Sequence, residues 1–171
     1  YTVEELKAIR DFCDKHKLYL HIDGARIANA AVSLGCSLKD AAHGADILSF
    51  GGTKNGILMG EAVIVLNPEF HERTDFLRKQ NMQLASKMRY LAAQFTALFE
   101  DGLWHKNAKH ANDIAAQVHD GVKNRIRILH PVDANMIFAH IPAGKVKKLL
   151  ENFYFYVMNE KDGVATVRLM C

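Results

Sequence analysis

The 171 residues carry 22 Lys+Arg against 19 Asp+Glu, a formal net charge of +3, and 49% are hydrophobic, enough to bury a core. The charge is dispersed without a long basic run, which argues against a nucleic-acid stripe or a polybasic membrane anchor, and no apolar run approaches the ~20 residues of a membrane span. Cys13, Cys36 and Cys171 are scattered with no C-x-x-C pair, so neither a disulfide framework nor a zinc site is expected, and a reducing, cytoplasmic compartment is the default.

Thr2 followed by Glu5 forms a capping-box pattern, and Val3, Leu6, Ile9 and Cys13 then recur at helical spacing to about Lys15. Residues 18–22 form a compact apolar run that predicts a strand buried on both faces, closed by Asp23. Residues 25–34 are an alanine-rich helix with Gly35 as its stop, and Ser37 with Asp40 caps a short helix that ends near Gly44. Residues 45–50 predict a second buried strand, so this region reads as a strand–helix–strand unit with parallel strands. Residues 61–66 are a third strand, and the short connection through Asn55-Gly56 permits an antiparallel return.

Asn67-Pro68 opens a helix that runs to about residue 100 with a break near Gln80-Asn81, and Asp101-Gly102 stops it. Trp104, Ala108, Ala111, Ala115, Val118 and Val122 then mark an amphipathic helix. Beyond it, residues 126–129, 136–141, 153–158 and 165–170 predict strands, with a helix over 143–152 whose Val146, Leu149 and Leu150 point inward. The fold class is therefore α/β: a mostly parallel sheet in residues 1–100, followed by a smaller α+β part in residues 101–171. The sequence opens without Met and its final segment reads as a strand with no closing element, so the chain reads as the C-terminal part of a longer one.

Two charged residues stand out because each ends an apolar run. Asp23 closes the first strand, and Lys54 follows the second within Gly51-Gly52-Thr53-Lys54-Asn55-Gly56. Glycines on both sides of a lysine let a backbone approach a bulky ligand, and a lysine at a pocket edge can condense with an aldehyde. An acid on a neighbouring strand end can hold a positive charge on the same ligand. Pyridoxal phosphate needs both: a lysine for its aldehyde and an acid at its pyridine nitrogen. From the residues alone, Lys54 reads first as a surface lysine in a glycine-rich loop, and Asp23 equally as a turn or helix-cap aspartate. His21 and Asp23 lack a third ligand at metal-binding spacing, so no metal is expected. Trp104, Phe95 and Phe99 read as core or interface.

The stretch HIDGARIANAAVSLG (21–35) is similar to the H-x-D-G-A-R stretch of the L-threonine aldolase and β-eliminating lyase family, and SFGGTKNG (49–56) resembles that family's lysine segment. Further matches fall at 78–89, 134–137 and 167–169, in the family's order. The resemblance implies a fold-type I pyridoxal phosphate enzyme, with the C-terminal part of a large domain over 1–100 and a small α+β domain over 101–171. It implies Lys54 as the Schiff-base lysine and Asp23 as the partner of the pyridine nitrogen. It further implies Arg26 at cofactor or substrate, Arg168 on the substrate α-carboxylate, and Arg89 near the cofactor phosphate. Arg26 follows Asp23 by one expected helical turn, so both can face one site. Without the resemblance, Arg168 reads as a strand-edge surface arginine.

The activity so implied is cleavage of a β-hydroxy-α-amino acid, threonine or allo-threonine, to glycine and an aldehyde. A β-eliminating lyase is the alternative, and a non-catalytic relative serving as a binding or assembly module is the reading from another class. The implied partners are a small amino-acid substrate and further copies of the chain in a homodimer or homotetramer. The chain departs from the family pattern at Thr53-Lys54-Asn55, where many members carry serine-lysine-glycine.

Overall fold

In the computed structural model, which describes residues 1–171, the first helix, α1 (Val3–His16), starts where its capping box puts it. Thr2 Oγ1 accepts from the Glu5 amide at 3.2 Å and the Glu5 carboxylate accepts from the Thr2 amide at 2.7 Å, which satisfies two donors that a helix start otherwise leaves open. The chain divides into two units, Tyr1–Asn107 and Ala108–Cys171.

Strand β1 (His21–Gly24) comes later than the apolar run predicts. Leu18 and Tyr19 lie outside it and are 50% and 60% exposed. Tyr19 packs edge-on against Phe70 and donates its hydroxyl to Glu69. The expectation of a strand over 18–22 buried on both faces is thus corrected. A short apolar run does not distinguish a ladder strand from a connector, and here the Asp46 carboxylate takes the Leu20 amide at 2.6 Å before the ladder starts.

Helices α2 (Ile27–Leu34) and α3 (Leu38–Ala41) lead into β2 (Ile47–Phe50), which pairs parallel with β1. Strand β3 (Ala62–Val65) returns antiparallel on the other side of β2, so the sheet order is β1-β2-β3. One sheet face carries Leu48 and Phe50, which close a core with Ile27, Ala31, Ile57 and Leu98. The alternate residues His21, Asp23 and Ser49 lie on the other face, because successive strand side chains point to opposite sides.

After a 3-10 turn at Pro68–Phe70, capped by Asn67, the expected long helix is two: α4 (His71–Gln80) and α5 (Arg89–Phe99). The break falls where Gln80-Asn81 predicts it. Helix α4 buries no residue, whereas α5 contributes Leu98 and Phe95 to the core. Helix α6 (Leu103–Val122) follows the Asp101-Gly102 stop.

Asp46, which stands just before β2, ties the unit together. Its carboxylate accepts from the Leu20 amide, from Arg10 Nη1 at 2.9 Å and from Asn67 Nδ2 at 2.7 Å, and its carbonyl accepts from the amides of Leu66 and Asn67. One residue thus joins α1, the entries to β1 and β2, and the exit of β3. Burial works against its charge, but these three donors outweigh it and hold the Asp46 carboxyl below its ordinary range. The sign follows: stability from a depressed carboxyl is present above its unfolded pKa of about 4 and is lost as pH falls through the lower folded value. Asp46→Asn in the complete protein should lower unfolding free energy by about 2–3 kcal/mol at neutral pH. Chemical-denaturation curves should show that the gap between wild type and variant closes below about pH 4. A gap that stays constant with pH would show that the charge of Asp46 contributes nothing.

The second unit follows the expected strand–strand–helix–strand–strand order: β4 (Arg127–Ile128), β5 (Met136–Pro142), α7 (Ala143–Leu150), β6 (Tyr156–Lys161) and β7 (Val164–Met170), with sheet order β4-β5-β7-β6. Ala139, Ile141, Phe155, Ala165 and Val167 form its core, with Val146 of α7 packed against it. Two details differ from the sequence reading. Leu149 and Leu150 are 37% and 43% exposed rather than inward. Strand β6 begins three residues later than expected, leaving Phe153 and Tyr154 exposed and only Phe155 buried. The Asp162-Gly163 turn, with both residues at positive φ, closes the β6–β7 hairpin and sets this register.

Candidate functional site

Because β1 and β2 are parallel and hydrogen-bonded neighbours, their C-terminal ends lie together at one sheet edge. Ligand sites of open α/β sheets form at that edge. Asp23 is directly opposite Ser49 in the register, and Gly24 is opposite Phe50. Asp23 belongs to the strand rather than following it, and its side chain is exposed. Its Oδ1 accepts from the Ala25 amide at 3.0 Å, an Asx-type turn that aims the carboxylate along the strand exit. Thus the turn role that the residues alone allowed does exist. Asp23 takes part in no ion pair. Beside it, His21 Nε2 hydrogen-bonds Ser49 Oγ at 2.9 Å, so His21, Asp23 and Ser49 form a polar strip.

The glycines around Lys54 correct the ligand-approach argument. A Cβ on Gly51 would collide with the backbone of Ala25, and one on Gly52 would meet the Gly60 carbonyl and the side chains of Ile57 and Phe95. Gly51 also donates its amide to the Gly24 carbonyl at 3.1 Å. These glycines admit the chain's own backbone and core. They fold the end of β2 over the β1–α2 turn and so bring the lysine segment to the exit of β1.

Lys54 lies in a 3-10 turn, Thr53–Asn55, ended by Gly56 at φ 107°, a conformation that favours glycine. The Thr53 hydroxyl donates to the Gly60 carbonyl at 3.2 Å and accepts from the Gly60 amide at 3.3 Å, pinning both ends of the loop. Asn55 is buried, and its carbonyl accepts from Asn107 Nδ2 at 2.8 Å. Gln94 holds the far side through the amides of Leu58 and Met59. Lys54 therefore sits between two anchored residues, while its own amine is exposed and makes no hydrogen bond or ion pair. The departure Thr53-Lys54-Asn55 has a local purpose: one side chain pins the loop and the other fills it.

Arg26 is not one helical turn beyond Asp23. It is the residue before α2, at φ −133° and ψ 32°, so the two are joined by a strand-exit turn instead. It remains three residues from Asp23 and half-buried, with a buried Nε that has no hydrogen-bond partner. Arg89 opens α5, exposed, its guanidinium 4.8 Å from the ring centre of Tyr90. Arg168 belongs to the second unit. It lies on β7, which is flanked by β5 and β6, so it is on an interior strand and not a sheet edge.

These residues fit pyridoxal phosphate on the chemistry of the donor set. An exposed primary amine and a carboxylate in no ion pair belong to the ends of neighbouring strands, and Arg26, three residues after Asp23, has an orphaned buried donor. A cavity of about 510 Å³ lies at the opposite end of the sheet, lined by Arg10, Asp14, Lys17 and Tyr19 among others, and belongs to the Asp46 network. Asp46 escaped the sequence reading. An aspartate at the head of an apolar run was the available signal, but its partners come from three distant segments.

Comparison with known proteins gives the family of the chain. The family model described as beta-eliminating lyase matches residues 1–143. The low specificity L-threonine aldolase of Pseudomonas sp. strain NCIMB 10558 is 39% identical over 178 aligned residues, covering 100% of this chain and 50% of that protein. The enzyme of the same name from Pseudomonas aeruginosa is also 39% identical, again over 100% of this chain and 50% of its own length. A solved threonine aldolase structure from Leishmania major superposes with a TM-score of 0.92 at 34% identity, covering 99% of this chain and 51% of that one. The chain thus spans about half the length of the relatives it matches, and its architecture is that of part of a fold-type I α/β enzyme. By the match over 143 of its residues and this shared architecture, the chain belongs to the beta-eliminating lyase family.

Proposed function

We propose that the complete protein is a pyridoxal-phosphate-dependent lyase that cleaves threonine or allo-threonine to glycine and acetaldehyde. The observation that carries this reading is that parallel neighbours β1 and β2 bring Asp23 and the loop of the exposed Lys54 to one sheet edge. Bound pyridoxal phosphate supplies an electron sink for the charge left on the substrate Cα when a bond to it breaks.

This chain's residues do the rest. Lys54 holds the cofactor through its aldehyde carbon. Asp23 keeps a proton on the pyridine nitrogen, which preserves the ring's pull on electrons. Its Asx turn leaves the carboxylate fixed in direction, so little ordering is needed when charge develops. Arg26, three residues after Asp23, supports cofactor or substrate, and Arg89 supports the cofactor phosphate. Arg168 grips the amino-acid carboxylate, for which a planar guanidinium fork is suited.

In this reading residues 1–100 belong to the cofactor-binding domain and 101–171 to a small domain. The enzyme is a homodimer or homotetramer of the cytoplasm. No helix here is long and apolar enough to cross a membrane.

The matched family's name supports β-elimination as the second reading. Both reactions use the same residues to stabilise Cα, so product analysis separates them. With L-threonine the complete enzyme should yield glycine and acetaldehyde in equal amounts. Ammonia with 2-oxobutanoate in their place would replace the aldolase by an eliminating lyase.

A further inference from the structure

We infer that Tyr156 is a positioning residue for the substrate carboxylate, acting as the platform on which Arg168 is presented. The inference rests on the carboxylate-gripping role of Arg168 proposed above. Arg168 Cζ stands 4.5 Å from the ring centre of Tyr156, and the two residues are directly opposite each other on β7 and β6. On the other flank Phe138 of β5 is opposite Arg168. Arg168 thus has an aromatic residue opposite it on each neighbouring strand, and it is half-buried, with no ion pair and with its Nε buried and unpartnered. An arginine so placed keeps its charge uncompensated by the unit's own acids. The ring packs against the guanidinium carbon without taking up its N–H donors, which leaves the fork for an incoming carboxylate.

The register makes this arrangement specific. Counting from the Asp162-Gly163 turn, Lys161 pairs with Val164, Glu160 with Ala165 and Asn159 with Thr166. A regular ladder would next place Met158 opposite Val167 and Val157 opposite Arg168. The bulge at Met158 inserts one residue, so Val157 faces Val167 and Tyr156 faces Arg168. The bulge thus exchanges an aliphatic side chain for an aromatic face under the guanidinium. Tyr154 packs edge-on to the Tyr156 ring with centroids 5.5 Å apart and limits its rotation. Tyr156 is 43% exposed on an edge strand, so its removal does not open the core.

The test uses the complete holoenzyme and compares inhibition by glycine with inhibition by glycinamide, which lacks the carboxylate charge. This ratio reads the carboxylate grip whichever bond at Cα is cleaved. Tyr156→Leu should raise KM for the amino-acid substrate about 3- to 30-fold and shrink the glycine-over-glycinamide preference by the same factor. The turnover number should stay within about 2-fold, as expected when binding shared by ground and transition states is lost. Tyr156→Phe, which keeps the aromatic face, should retain the wild-type preference, and Arg168→Gln should abolish it. A full preference in Tyr156→Leu alongside its loss in Arg168→Gln would overturn the platform alone. Tyr156→Phe behaving like Tyr156→Leu would also overturn it, by assigning the effect to the hydroxyl. An unchanged preference in Arg168→Gln would remove the carboxylate role of Arg168, and the platform with it.

Discussion

Replacing Lys54 by alanine in the complete protein should lower turnover of L-threonine by ~1000-fold or more, equivalent to about 4 kcal/mol of barrier. It should do so without unfolding the protein. The Lys54 amine touches no partner and is exposed, and such surface changes typically move stability by less than about 0.5 kcal/mol. The loop's shape rests on Thr53, Asn55 and Gln94 instead. Lys54→Arg separates charge from nucleophile. Arginine keeps the positive charge but stays protonated and cannot condense with an aldehyde. It should therefore be as inactive as the alanine variant. The complete wild-type protein should be yellow, and borohydride treatment followed by peptide mass mapping should find the cofactor attached at Lys54 and nowhere else. Activity surviving in Lys54→Arg would sink the assignment.

The second large effect belongs to Asp23. Asp23→Asn should reduce the rate about 30- to 1000-fold, or roughly 2–4 kcal/mol, while the variant still binds pyridoxal phosphate. Asparagine has nearly the same shape, and its carbonyl oxygen can still accept from the Ala25 amide, so the Asx turn survives. What it lacks is the negative charge that, in the proposed function, keeps a proton on the pyridine nitrogen. Melting curves should therefore stay close to wild type while the rate falls, a split that a purely structural aspartate would not give. If Asp23→Asn keeps its rate and loses thermal stability instead, Asp23 is a turn residue only. The two variants should differ in kind: the Lys54 variant should lose the cofactor attachment and the Asp23 variant the electron-withdrawing pull, and cofactor retention distinguishes them.

The placement of Asp23 and Lys54 in the fold was legible in the sequence. Asp23 and Lys54 each interrupt an apolar run, and a parallel crossover necessarily brings the exits of its two strands together. The capping boxes at Thr2 and Ser37, the break near Gln80 and the antiparallel return of β3 were legible for a similar reason. Each is set by a few contiguous residues whose backbone needs are local. The purpose of Gly51 and Gly52 was not legible. A glycine reports that something approaches closely, and only the fold identifies it as Ala25, Gly60 and Phe95 rather than a ligand. The start of α2 was misread because alanine-rich sequence continues the helical pattern back through residues 25 and 26, while the Asx turn of Asp23 holds that segment out of the helix.

By itself the sequence determined the order of the elements, the parallel pair, the two residues at its edge and the kinship of the chain. These follow from periodicity, caps and motifs written in neighbouring residues. Only the tertiary structure decided which groups meet across long separations: Asp46 with Arg10, Leu20 and Asn67, Gly51 with Ala25, and Tyr156 beneath Arg168. The physical reason is register. A one-residue bulge at Met158 changes which side chain lies under Arg168, and no local preference of the residues around it states where the ladder will slip.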